Sequence, residues 1–95
     1  MTDIDKTLAE RGKRYGEFKD HAEISQSLKT HIYIHSGWLR LKNDQKEALD
    51  MICHKIARIL NGDQNYADSW VDIAGYAKLV ADRLNSETTN EELKK

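Results

Sequence analysis

Apolar residues recur at every third or fourth position through three long stretches of the chain, which is the spacing of an amphipathic α-helix. The stretches lie at about 20–36, 43–60 and 66–84. Their predicted apolar faces are, in chain order, Ile24, Leu28, His31, Ile32 and His35; Leu49, Ile52, Ile56, Ile59 and Leu60; and Trp70, Ile73, Ala77, Val80 and Leu84. We therefore expect three helices that pack through these faces, with Trp70 in the core.

Start and stop signals predict where these helices and one shorter helix begin and end. The shorter helix is expected at about 3–12, with Thr2 or Asp3 as its cap and Gly12 at its end. Acids with capping-box spacing occur at the start of the next two helices, namely Asp20 with Glu23 and Asp44 with Glu47. The sequence contains no proline that would remove a helical N–H. We predict an all-α fold of about four helices, packed as an antiparallel hairpin or bundle.

The length of 95 residues corresponds to one domain, which we place at 1–84, followed by a polar tail at 85–95. The 39% hydrophobic and 33% charged residues are typical of a soluble globular domain. A chain this short buries a thin core and often gains stability by association. We therefore expect a homo-oligomer, either a dimer or a larger assembly.

Charge and cysteine content narrow the partners and the compartment. The formal net charge of -1 argues against a surface that binds nucleic acid, which usually needs clustered Lys and Arg. The single cysteine, Cys53, has no partner for an internal disulfide and is expected to be a small core residue. No apolar run reaches the roughly 18 residues of a membrane span, and the N-terminus does not resemble a signal peptide. We expect a cytoplasmic protein with no membrane partner.

Four acids on the predicted third and fourth helices are candidate metal ligands: Glu47, Asp50, Asp68 and Asp72. If a short connection makes these two helices antiparallel neighbours, the four carboxylates share one region of a helical hairpin. Carboxylate oxygens are the ligands that Mg²⁺ prefers. Solvated charges and helix caps are the alternative explanation, because the acids lie opposite the apolar faces and Asp68 lies where a helix begins.

Basic and aromatic residues close to these acids complete the candidate site. Lys55 and Arg58 follow the acids of the third helix and are candidates to neutralise phosphate groups. Tyr15 and Tyr76 are candidates to contact a base. If the four acids hold Mg²⁺, these residues are candidates for binding a nucleotide.

The chain contains an Arg-x-x-x-Tyr-Gly segment at 11–16, a Lys-x-x-Arg segment at 55–58 and an Asp-x-Trp-x-Asp-Ile-Ala-Gly-Tyr segment at 68–76. Together these segments resemble a family of small phage and prophage proteins of unknown function. The resemblance covers most of residues 11–80. It implies a phage-encoded protein that acts in the host cytoplasm, and it implies no established activity.

The order of an acid pair, two basic residues and further acids is similar, more distantly, to the all-α nucleoside triphosphate pyrophosphohydrolases of MazG type. That resemblance implies Mg²⁺ bound by Glu47, Asp50 and Asp72, and an enzyme in which the metal activates water against a phosphoanhydride. Position 69 is serine where that family has glutamate, and Asp68 lies one residue away. The alternative function is a non-catalytic helical protein that binds a host or phage protein through its charged faces.

Overall fold

The computed structural model describes residues 2–93, with side-chain burial as far as residue 88. This part of the chain consists of α1 (Asp3–Tyr15), α2 (Phe18–Tyr33), a short 3₁₀ helix (Ser36–Arg40), α3 (Asn43–Asn61) and α4 (Ala67–Leu93), with no strand among the described residues. The predicted all-α fold with about four helices is confirmed. No helix within residues 2–93 combines the length and the apolar character needed to cross a membrane.

Two helices are longer than the sequence signals predict. The first continues through Gly12 to Tyr15, so Gly12 does not end it. The last continues beyond Leu84 to Leu93, through most of the segment predicted as a tail, while residues 94–95 lie outside the described part. Local bonds support this extension, because Thr88 Oγ1 donates to the carbonyl of Leu84 at 3.0 Å and Arg83 pairs with Glu87 at 3.3 Å.

Of the three caps predicted at the starts of α1, α2 and α3, the structure contains the first and lacks the other two. Thr2 caps α1, since its Oγ1 accepts from the backbone N–H of Asp5 at 3.1 Å. The second helix begins two residues before Asp20, so the predicted box of Asp20 and Glu23 is wrong. At the start of α3 the side chain of Gln45 accepts from the Lys42 N–H, and the predicted box of Asp44 and Glu47 is also wrong. Asp44 instead forms an ion pair with Arg83 at 2.7 Å.

The third helix packs against both α2 and α4, and its buried residues are small. They are Ala48, Cys53 and Ala57, which are 7%, 3% and 0% exposed. Cys53 is therefore a small core residue, as predicted, and burial raises the pKa of its thiol. Leu49 and Leu60, two members of the predicted apolar face, are exposed. The buried face of α3 is therefore formed by its small side chains and does not include Leu49 and Leu60.

Trp70 is not a core residue, and this prediction is wrong. Its side chain is 54% exposed, and its Nε1–H donates to the carbonyl of Gln64 at 3.0 Å. The neighbouring Ser69 is buried instead, at 3% exposure. Periodicity placed Trp70 among the apolar positions of α4, but the positions that approach α3 begin one residue earlier.

The turn between α1 and α2 lies against the turn that ends α3. The Asn61 side-chain Nδ2 donates to the carbonyl oxygens of Tyr15 and Glu17, at 2.9 and 3.0 Å. Gly16 has φ 78 and ψ -169, a region that only glycine adopts readily, and a Cβ there would overlap the backbone oxygen of Asn61. A Cβ on Gly62 would likewise overlap the carbonyl of Arg14. We call this contact of Gly16, Asn61 and Gly62 the glycine corner.

Replacing Gly16 by alanine is expected to lower the free energy of unfolding by about 1–3 kcal/mol, because the backbone conformation excludes a side chain. Gly12→Ala provides the matched control, since Gly12 lies inside α1 and an alanine Cβ at this position would meet no neighbouring atom within 4 Å. That change is expected to stabilise by roughly 0.5–1 kcal/mol. Urea unfolding of both variants measures the difference. Equal effects at the two positions would contradict the role of the glycine corner.

Candidate functional site

A cavity of about 580 Å³ lies between α1, α2 and α3, beside the glycine corner. Two arginines, two histidines and two aromatic rings contribute to its lining, namely Arg11, Tyr15, Phe18, His21, His54 and Arg58. Because the glycine corner fixes the end of α1 against the end of α3, it determines the shape of the cavity. We call this space the corner cavity.

Two of the predicted nucleotide-binding residues meet in the corner cavity. The Arg58 guanidinium lies over the Tyr15 ring, 4.2 Å from the ring centroid. A similar contact lies next to it, where the Arg14 guanidinium is 4.2 Å from the centroid of Tyr66. The two tyrosine rings are 6.2 Å apart and meet edge to face. Stacking of this kind restrains the orientation of each guanidinium. Arg14 also donates an N–H to the Tyr66 hydroxyl at 3.2 Å.

A pair of histidines forms the inner part of the corner cavity. His21 Nε2 and His54 Nδ1 are 3.2 Å apart, so one of them donates to the other. Burial lowers the pKa of both rings, that of His54 to about 4, and the positive charge of Arg58 lowers both further. The pair is therefore neutral near pH 7. The sequence contains no signal for this pairing, because 33 residues separate the two histidines and neither belongs to a metal or catalytic motif.

The predicted magnesium ligands contact other side chains. Asp50 accepts a short hydrogen bond from the Tyr33 hydroxyl, which raises the pKa of Tyr33 to about 12. Asp68 accepts from the Tyr66 hydroxyl at 2.8 Å.

The other two predicted ligands differ in their surroundings. Asp72 forms an ion pair with Lys55 at 2.8 Å, and Glu47 is exposed. In the part of the chain whose side chains are described, no three His, Cys, Asp or Glu side chains are grouped so that they would hold a metal ion.

The remaining predicted nucleotide residues lie away from the corner cavity. Lys55 forms its ion pair with Asp72, and the Lys55 side chain is only 12% exposed. Tyr76 lines a second cavity of about 570 Å³ on α4, together with Val71, Asp72 and Leu79. The four predicted residues are thus divided, with Tyr15 and Arg58 at the corner cavity and Lys55 and Tyr76 near α4.

The neutral histidine pair predicts acid sensitivity. An unfolded histidine has a pKa of about 6.5, so between pH ~6.5 and ~4 the unfolded chain binds more protons than the folded chain. The free energy of unfolding should therefore fall as pH decreases through this range, by at most about 1.4 kcal/mol per pH unit for each histidine. Urea unfolding across this pH range measures the slope.

His54→Gln is the control for this prediction, and it should reduce the slope, because the His54 ring has its pKa lowered to about 4. The ion pair of Asp44 and Arg83 acts at lower pH, because Arg83 lowers the pKa of Asp44 below its ordinary 3.8. An unchanged slope in the His54 variant would assign the acid sensitivity to other groups.

Comparison with known proteins identifies a family. No curated protein and no solved structure matches the chain. A family described as a domain of unknown function, DUF6378, matches residues 3–84, which include α1, α2, α3 and α4 as far as Leu84. The match covers most of the sequence. The chain belongs to the DUF6378 family, a domain of unknown function.

Proposed function

We propose that the protein is a self-associating helical protein, in which α4 packs against a second copy of the chain. The observation that carries this proposal is the distribution of apolar residues on α4. A helix that is apolar most of the way round is usually buried on more than one side. From residue 70 to residue 84 the charged side chains on α4 are Asp72, Lys78, Asp82 and Arg83.

Only one side of α4 contacts α3. Ser69 is buried, and Ile73, Tyr76 and Val80 are partly buried, so these positions mark the contact with α3. One flank, exposed throughout, carries Trp70, Ala74, Ala77, Ala81 and Leu84. The other carries Val71, Gly75 and Leu79, with the Lys78–Asp82 ion pair beside them. Val71 and Leu79 are 64% and 68% exposed. These flanks supply the apolar area that a second helix would cover.

The shape and surface of the chain support association. Its radius of gyration is 17.0 Å and its longest extent is 62 Å, whereas a compact domain of this length has a radius near 12 Å. It exposes 7267 Å², against about 5,600 Å² for a compact monomer of the same mass. A standard interface buries about 800 Å² on each partner. The excess area is therefore larger than a stable dimer requires.

Sedimentation at micromolar concentration is expected to give a dimer or a larger species. Ala77→Glu and Leu79→Glu place a charge on one flank of α4 each, and glutamate keeps a high helix propensity. At least one of them should raise the dissociation constant tenfold or more, equivalent to about 1.4 kcal/mol. Gln26→Glu, at an exposed position of α2 and so outside both flanks, is the matched control. An 11.0 kDa species for the wild-type protein would contradict the proposal.

A second candidate function is Mg²⁺-dependent nucleotide binding in the host cytoplasm, as implied by the resemblance to phage proteins and to MazG-type pyrophosphohydrolases. The observation that favours it is the ion pair of Lys55 and Asp72, which directs an acid of α4 toward the helix that carries Glu47 and Asp50. Mg²⁺ bound by these acids would supply Lewis-acid chemistry at a phosphoanhydride. Turnover of a nucleotide would make the protein an enzyme, and binding without turnover would not.

Thermal melts with and without Mg²⁺ test the second candidate. Mg²⁺ should raise the melting temperature of the wild-type protein and of Asp68→Asn, and should leave that of Asp72→Asn unchanged. In the absence of metal, Asp72→Asn should lower the melting temperature, because it leaves the ammonium of Lys55, whose side chain is only 12% exposed, without its acid. If Mg²⁺ does not shift the wild-type melt, the magnesium hypothesis fails and the self-association proposal stands.

A further inference from the structure

We infer that the corner cavity binds an aromatic organic phosphate, of the class of nucleoside monophosphates, without a metal ion. Arg11 and Arg58 would bind the phosphate, His54 would donate a hydrogen bond, and Phe18 and Tyr15 would contact the aromatic group. This site is separate from the flanks of α4 and from the predicted carboxylate ligands, so it depends on neither proposal above.

The arginines are the first part of the evidence. Among residues 2–88, neither Arg11 nor Arg58 forms an ion pair with a carboxylate, whereas Arg83 pairs with Asp44 at 2.7 Å. Arg58 is partly buried, so its charge is partly removed from water without an acid to compensate it. Glu17 also lines the cavity, and with the two arginines the lining remains net positive. Planar guanidinium groups bind phosphate through two parallel N–H bonds.

The histidine pair is the second part, because its hydrogen bonding leaves one donor available. His21 is 4% exposed, and its Nδ1 is buried with no partner among the described residues. A buried N–H without an acceptor is rarer than a buried acceptor without a donor. The favoured arrangement therefore has His21 Nε2–H donating to His54 Nδ1. The proton of His54 then lies on Nε2, so a neutral His54 presents an N–H to the cavity that it lines.

The aromatic rings are the third part. Phe18 is 78% exposed, although it lies at the edge of a cavity lined by arginines. Its ring stacks on His21, with centroids 6.0 Å apart and an interplanar angle of 29°. A flat aromatic group placed against Phe18 would cover apolar surface that is now in water. The cavity volume of about 580 Å³ falls within the usual range of small-molecule sites.

Calorimetric titration in the presence of EDTA tests the inference, with adenosine monophosphate, adenosine and inorganic phosphate as probes. The wild-type protein should bind the monophosphate more tightly than either adenosine or phosphate. Arg58→Gln should weaken that binding tenfold or more, while Arg40→Gln, an exposed arginine on the 3₁₀ helix, should leave it unchanged. Phe18→Leu should reduce the advantage of the monophosphate over inorganic phosphate.

Arg11→Gln separates binding from folding, because Arg11 is exposed on α1 and its loss should weaken binding without lowering the melting temperature. Absence of saturable binding of all three probes to the wild-type protein would overturn the inference. So would equal weakening by Arg40→Gln and Arg58→Gln. Either result leaves the self-association proposal intact, because that proposal is judged by sedimentation.

Discussion

The close packing of α3 against its neighbours depends on small side chains. Ala48, Cys53 and Ala57 are its buried residues, and buried serines occur on α2 and α4. Small residues allow helix backbones to approach closely, but they bury little apolar area per residue. Several larger apolar side chains remain exposed outside this contact, on α1, on the flanks of α4 and on or beside the 3₁₀ helix. A single chain with this small core leaves large apolar side chains exposed to water. This exposed apolar surface is the basis of the proposal that the protein self-associates.

The corner cavity is a second consequence of the same packing. With α3 held against α2, His54 meets His21, and burial keeps both rings neutral. The glycine corner then holds the end of α1 against the end of α3, and this brings Tyr15 under Arg58. Charged, neutral polar and aromatic groups thus surround one space, and neither of its two arginines is matched by a carboxylate ion pair among the described side chains. The residues of the proposed ligand site are thus among those that pack α1, α2 and α3 together.

Periodicity predicted the three longer helices because each has apolar residues at every third or fourth position, and start and stop signals predicted the first. It did not predict the buried face of α3 or the exposure of Trp70, because both depend on which small residues let the neighbouring helices approach. The chemistry of Tyr15 and Arg58 makes them candidates for ligand binding. Spacing cannot predict that they contact each other, because α1 and α3 are far apart in the sequence. The sequence likewise does not predict that Asp50 bonds to Tyr33 or that Asp72 pairs with Lys55, because these contacts form only when the helices pack together.

The glycine corner also limits how this sequence can change over generations. A side chain at residue 16 collides with the backbone of Asn61, and one at residue 62 collides with the backbone of Arg14, so no rotamer change relieves either clash. Asn61 is restricted differently, because its amide holds two carbonyls of the opposite turn. Single substitutions at these positions meet a barrier that only a coordinated rearrangement of both turns would avoid. The two turns are therefore expected to change together, whereas Gly12, whose added Cβ would meet no neighbouring atom, can be replaced singly.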